Sequence, residues 1–400
     1  LDLFPLPNGR DFGDGTAEFI SLAVTPARED YGFAKVDVNA SERLRMSARY
    51  TFDDAETRTP DPFAIWTFRD GSRYQFLHSE TEYVGSPNTV RTFRAGFSRI
   101  RNQETGGVRP DIPASLSFVK GQPLGSMQVV GLTDLGGLSA RLRPRRFVLN
   151  GFQFSHEVAH VHGSHMIRLG AGYDRVQFNQ IVDINTTGLY RFTSLSSFLQ
   201  GRPRSGDFLA PGSDTCRGWR QHQFSAFAQD EIRASRSLNF TLGVRYETYS
   251  TPAEVNGKIS TLRDPSHDPA VTVGGPVFEN PSRRNFAPRA AVAWSVPGSG
   301  RTVVRAGGGI FFDLLGTREL VVAGARIPPF YKRYFINNPQ FPDLSSAAGQ
   351  GALQNSIDTL EFYVKQPYVA RWEFAVQRQV GRLLMLQAGY AGARGIHLPG

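Results

Sequence analysis

The 400-residue chain predicts an all-β fold: an antiparallel transmembrane β-barrel with short turns at one end and long loops at the other. Three observations predict it. Apolar and polar residues alternate over segment after segment, and successive strand positions point to opposite faces. The polar faces carry full charges in mid-segment, which a dry sandwich core rarely tolerates unpaired; lipid outside and water inside accommodate both faces. The connections alternate between tight turns and extended stretches, as periplasmic turns and extracellular loops do.

In chain order, residues 31–38 and 44–53 form the first predicted hairpin, with Leu44, Met46, Ala48, Tyr50 and Phe52 opposite Arg45, Ser47, Arg49, Thr51 and Asp53. Strands over 74–84 and 89–101 flank the turn 85–88, and a long connection follows at 102–145. Residues 147–161 and 165–178 pair around Gly163. The stretch 179–219 is less regular, with Phe192 and Thr193 strand-like and 195–199 a helical turn. Residues 221–233 and 238–249 form the next hairpin, where Leu238, Phe240, Leu242, Val244 and Tyr246 alternate with Asn239, Thr241, Gly243, Arg245 and Glu247. After the loop 250–284, strands over 286–294 and 302–313 surround the Pro/Gly-rich turn 297–300. A loop from 314 to 366 leads to the last hairpin, 368–379 and 384–391, in which Tyr368, Ala370, Trp372, Phe374 and Val376 oppose Arg371, Glu373 and Gln377. Residues 1–400 thus read as part of one barrel domain, about a dozen strands of a larger barrel.

Composition agrees with a barrel and argues against its rivals. Hydrophobic residues are 40% of the chain and mean hydropathy is −0.31. No apolar run approaches the roughly 18 residues of a spanning helix, whereas barrel strands need apolar residues only at every second position. Thirty Phe, thirteen Tyr and four Trp supply aromatic girdles, and 41 Gly and 25 Pro supply turns and loops. The net charge is +9 and the pI about 9.8. The arginines are scattered rather than gathered in a helix or dense run, which argues against nucleic acid. Outer-membrane lipid with its anionic lipopolysaccharide, or an acidic partner in the lumen, fits the excess better. Cys216 is the single cysteine, which excludes an internal disulfide and a multi-cysteine metal site and predicts a buried or loop thiol. No export signal is read at Leu1, and the chain stops in a strand-like segment, so a piece of a longer exported protein is expected.

Face by face, the alternation assigns Leu242, Val244, Trp372, Phe374, Ile167 and Leu169 to lipid. It assigns Arg45, Arg49, Arg168, Asp174, Arg245, Glu247, Arg305, Asp313, Arg371 and Glu373 to the lumen, where they meet water, a plug or a ligand. The long loops are the candidates for capturing an extracellular ligand. One motif competes. His156-Glu157-Val158-Ala159-His160 matches the H-E-x-x-H zinc pattern, with His162, Gly163 and His165 close by and Met166 where an extended pattern needs its third histidine. The motif requires a helix, in which positions four apart share a face. Here Phe152, Phe154, His156, Val158, His160 and His162 alternate as a strand, with Gly163-Ser164 as a hairpin turn. His156, Glu157 and His160 therefore read as a decoy, and a secreted zinc hydrolase is the alternative it leaves. The run 305–309 lacks the Lys-Ser/Thr of a phosphate-cradling loop, and no Gly-x-Ser-x-Gly elbow occurs. No catalytic residue, cofactor or metal is expected.

Several stretches resemble one family. "NFAPR" (285–289), "RAGGGIFFD" (305–313) and "LGVRYE" (242–247) are similar to the barrel of TonB-dependent outer-membrane transporters, in particular the Oar-like branch. So are "FAQDEIRASRSLNFTLGVRYE" (227–247), "PYVARWEFAVQRQV" (367–380), "GYAGARGIHLP" (389–399) and "HGSHMIRLGAGYDR" (162–175), in the same order. The resemblance covers most of the chain beyond about residue 147. It implies a plugged barrel of roughly 22 strands that imports a ligand with energy from the TonB complex. At about 30 residues per strand, closing such a barrel takes well over 600 residues. No plug or TonB-contacting segment is read in this sequence, so the resemblance places both plug and TonB contact in a missing N-terminal part. A structural or adhesive barrel, or a passive pore, is the alternative within the same fold.

Overall fold

The computed structural model describes residues 3–137, 144–298, 301–316, 320, 324–347, 352–354 and 357–398. Twelve long strands follow one another in chain order, each antiparallel to the next. They are β1 (Ala27–Ser41), β2 (Leu44–Pro60), β3 (Trp66–Ser86), β4 (Thr89–Val108), β5 (Arg145–His162), β6 (His165–Val182), β7 (Arg217–Ser235), β8 (Leu238–Tyr249), β9 (Phe286–Ser295), β10 (Thr302–Phe312), β11 (Tyr368–Val380) and β12 (Leu384–Ile396). The short strand Ala253–Glu254 adds to the loop end of β7. Among the described residues, no helix is long and apolar enough to cross a membrane; the strands do the crossing.

The twelve hairpin strands and their tight turns lie where alternation places them. The two-residue turn between β5 and β6 has Gly163 at φ +59°, a conformation glycine adopts without steric cost. Ser299 and Gly300 of the turn between β9 and β10, and Pro399 of the last resembling stretch, lie outside the described residues.

Two expectations are corrected. First, most strands run further towards the loops than alternation indicates: β2 reaches Pro60, β3 begins at Trp66 and β4 ends at Val108. A transmembrane strand needs only about 9–11 residues. Beyond that zone both faces are wet, so the period-2 signal fades in runs such as Asp53-Asp54-Ala55-Glu56 while the backbone ladder continues. Cross-strand ion pairs accompany it, Arg73 to Asp54 at 2.5 Å and Arg69 to Glu56.

Second, the long loops are not irregular. Segments 109–137, 183–216 and 313–367 contribute strands to a separate five-stranded sheet, Ser126–Val129, Leu189–Phe192, Ser205–Leu209, Arg333–Asn337 and Ala352–Gln354. The expected helical turn is a short helix, α1 (Leu195–Leu199), capped reciprocally by Ser194 and Ser197. Two apolar cores hold this cap. One gathers Phe118, Met127, Tyr190, Phe192, Phe208 and Leu344 against Trp66 and Phe68 of β3. The other gathers Phe278, Leu315 and Leu320 against Phe178 of β6, Trp219 of β7 and Tyr249 of β8. Burying each large side chain contributes about 1.5–3 kcal/mol, enough together to order loops that would otherwise stay open.

Candidate functional site: the inner face and its cap

Directly paired residues of antiparallel strands lie on the same side of the sheet. The register therefore fixes both faces. One row runs Arg45, Glu82, Thr92, Glu157, Gly170, Phe227, Arg245 from β2 to β8. This face curls inward, since one cavity of about 360 Å³ is lined from His78 on β3 through Arg94, Glu157 and Asp174 to Arg245 on β8.

Nine of the ten charged candidates lie on this inner face, and Asp313 directly follows β10 at its mouth end. Some are brought into pairs: Arg45 with Glu82 at 3.7 Å, Arg168 with Glu231 at 3.6 Å and Arg245 with Glu247 at 2.8 Å. Asp174 pairs in register with Gln153. Arg49 sits over the Phe33 ring at 4.7 Å, and Arg371 over Phe311 at 5.6 Å. Arg305 and Glu373 form no ion pair with each other among the described residues.

Inner-face residues outside the sequence selection complete the arrangement. Arg94 bridges Glu80 at 2.6 Å and Glu157 at 3.8 Å, and Arg289 covers Phe311 at 4.5 Å. Their alternation is the same as that of the chosen residues, so the signal was present. The opposite face carries Leu242, Val244, Trp372, Phe374, Ile167 and Leu169, each 38–51% exposed.

The zinc-like motif is resolved by the same register. His156 and His160 lie on the outer face of β5, in line with Phe154, while Glu157 points to the inner face beside Arg94. A strand places positions four apart about 13 Å from each other, too far for two imidazoles to share one ion. His160 Nδ1 lies 2.9 Å from Thr89 Oγ1, and His165 Nδ1 lies 2.7 Å from Asp230 near the turns. No group of three metal-ligating side chains occurs among the described residues.

At the mouth the inner face changes character. Phe178, Trp219 and Tyr249 point inward and pack under the cap. Between them sit polar anchors that hold Leu315, Leu320, Gly324 and Ala325 from below. The buried Arg217 guanidinium donates to the carbonyls of Asp214 (2.8 Å), Cys216 (2.8 Å), Gly324 (3.1 Å) and Ala325 (3.1 Å). Gln221 Nε2 donates to Leu315 O at 2.8 Å, and Gln180 Nε2 to Leu320 O at 2.8 Å. Inside the cap the fully buried Asp207 carboxylate accepts from Asn185 and pairs with Arg191, with Arg333 Nε at 3.7 Å. Burial pushes the Tyr190 phenol upward, and its hydroxyl donates to Gln340 O at 2.7 Å. Cys216 is a loop residue open to solvent whose thiol is only partly desolvated; that partial desolvation first, and then the charges of Asp214 and Asp183, raise its pKa.

Solved structures share this architecture. The outer membrane transporter YddB from Escherichia coli superposes with a TM-score of 0.57 at 11% identity, over 92% of this chain and 40% of that one. The ferric-catecholate import receptor Fiu from E. coli K12 gives 0.51 at 12% identity, over 91% and 51%. The copper transporter OprC gives 0.50 at 12% identity, over 92% and 45%. At such identities the likeness concerns the fold, and the chain spans about half the length of these proteins or less. No curated protein matches the sequence. The family comparison covers the whole chain: residues 1–400 match the family described as outer membrane beta barrel domain. With its inward-curling sheet and exposed apolar outer face, the chain belongs to that family and lies in the outer membrane.

Proposed function

We propose that the chain forms part of the wall and cap of a TonB-dependent transporter or receptor, of the Oar-like branch, that imports a ligand without bond chemistry. The carrying observation is the cap: loops folded inward over the mouth on two apolar cores. A passive pore works with an open mouth, whereas a covered one suits capture followed by a driven opening. Below the cap the charged inner face, with Arg94, Asp174, Arg245 and their partners, offers a hydrated wall to a plug domain or a passing solute. The likeness in fold to a ferric-catecholate import receptor and a copper transporter makes chelated metal a first cargo class to test.

The experiment uses cells producing the full-length protein and two probes, a radiolabelled ferric catecholate and Cu(II). Accumulation of one probe above empty-vector cells, abolished by removing the TonB complex, is the expected result. Uptake that persists undiminished without TonB would replace this reading by a passive pore.

A further inference from the structure

The outer wall of β4–β7, just beyond its apolar zone on the loop side, carries arginines that form no ion pair among the described residues. In register across the four strands run Arg99, Asn150, Gln177 and Arg220. One row nearer the apolar zone are Arg175 and His222, and one row beyond is Arg101. All lie on the face that carries Phe154, Ile167 and Leu169, the lipid side. Among the described residues no carboxylate lies within ion-pair distance of Arg99, Arg101, Arg146, Arg175 or Arg220. On the neighbouring strands the arginines at this height are neutralised, Arg73 by Asp54 and Arg69 by Glu56.

The patch is built rather than incidental. Arg99 Nη1 donates to Asn150 Oδ1 at 3.1 Å, and Asn150 Nδ2 reaches Gln177 Oε1 at 3.5 Å. Arg220 Nη1 is fixed by Asn179 Oδ1 at 3.1 Å and by the Trp219 carbonyl at 2.8 Å. Arg220 feels the positive charge of Arg175, partly offset by the Glu254 carboxylate, which lies beyond ion-pair distance; an anion between the two arginines would relieve the remaining repulsion. Beside them a groove of about 480 Å³ is lined by Arg99, Arg101, Arg146, Asn179 and, from the following loop, Val255 and Asn256.

Immediately on the membrane side stands an aromatic wall. Phe97 and Phe152 are 5.2 Å apart between ring centroids, and Tyr173 and Phe224 are 5.0 Å apart. The Tyr173 hydroxyl lies 2.8 Å from His222 Nδ1, which marks where apolar surface gives way to polar. Arg175 lies two steps along the strand from Tyr173, about 7 Å, the step from acyl chain to headgroup. Because barrel loops face outward from the cell, this step lies in the outer leaflet.

We propose that this wall is a binding site for a phosphorylated glycolipid of the outer leaflet, one phosphate held by Arg175 and Arg220 and a second by Arg99, with its acyl chains laid along Phe97, Phe152, Tyr173 and Phe224. Guanidinium forks match phosphate oxygens in geometry and charge. Asn150 positions Arg99 and Asn179 positions Arg220, and the Gln177 amide supplies a neutral donor for the sugar. The groove between Arg101 and Asn256 receives the polar part. The site depends on the membrane location alone, so its failure would leave the transport proposal standing, and the reverse.

The test is a titration of the delipidated full-length protein, in a neutral maltoside detergent, with bis-phosphorylated lipid A, dephosphorylated lipid A and inorganic phosphate. The expected result is saturable binding of the bis-phosphorylated lipid, with the other two at least about tenfold weaker, the scale of losing charge-assisted hydrogen bonds. Arg99→Ala/Arg175→Ala/Arg220→Ala should lose about tenfold or more by the same reasoning. The corresponding triple Lys variant keeps the charge without the fork, preserves the β-sheet circular dichroism and falls between. Equal binding of dephosphorylated lipid, or of inorganic phosphate alone, would overturn the proposal. So would undiminished affinity in the Lys variant together with the Ala variant, or in the Lys variant alone if the Ala variant does not fold.

Discussion

The inner face of this wall is two surfaces in one. Towards the turns it carries charges in pairs, Arg45 with Glu82, Arg94 with Glu80 and Arg168 with Glu231, all partly open to water. Towards the loops the same strands present Trp66, Phe68, Phe178, Trp219 and Tyr249, sealed beneath the cap. Strand geometry is the same in both halves; what differs is the neighbour. Where nothing but water or a separate domain meets the wall, charges are cheap and pair loosely. Where the chain's own loops fold back, apolar burial and buried hydrogen bonds are required.

This contrast makes the energetic consequences unequal. Trp219→Ala removes a fully buried ring from beneath the cap and should cost about 3–5 kcal/mol of cap stability. Limited proteolysis of the membrane-inserted protein should then cut within 250–285 or 313–367 while leaving β1–β12 intact; an unchanged digestion pattern would mean the cap is held elsewhere. Val244→Arg places a charge on the opposite, outer side at the level of the paired charges. It should impair insertion by about 2–4 kcal/mol at mid-membrane, read as loss of heat-modifiable protein in outer-membrane fractions. Normal insertion would reverse the two faces. Arg94→Gln removes a water-side ion pair whose arginine side chain is 41% exposed. Denaturant unfolding in lipid vesicles should shift by no more than about 1 kcal/mol; a loss comparable with Trp219→Ala would show that the turn-side half is as dry as the mouth.

The wall was legible in the sequence because its determinant is local. Alternation at Leu238–Tyr249 or Tyr368–Val380 needs no knowledge of any other segment, and the charged candidates fell on one face for the same reason. The zinc-like His156 and His160 were separable from chemistry by the same two-residue rhythm. The strand extensions were hidden where both sides are solvated, as at Asp54 and Glu56. The cap was hidden for a deeper reason. Phe118, Tyr190 and Leu344 meet from three distant loops with no shared spacing, and the parallel pairing of Ser126–Val129 with Leu189–Phe192 has no local signature. The arginine patch was visible only as scattered basic residues until the register aligned Arg99 with Arg220 across two intervening strands.

Because the cap is one folded body shared among several loops, those loops do not diversify independently. A substitution in 109–137 that alters Phe118 or Met127 changes the surface on which Leu344 and Phe208 must pack, from segments more than two hundred and about ninety residues away respectively. Selection on the surface of the mouth therefore acts on matched sets of loops. Transplanting a single loop between related barrels would deliver a mismatched interior, whereas moving the whole set would carry its recognition surface intact.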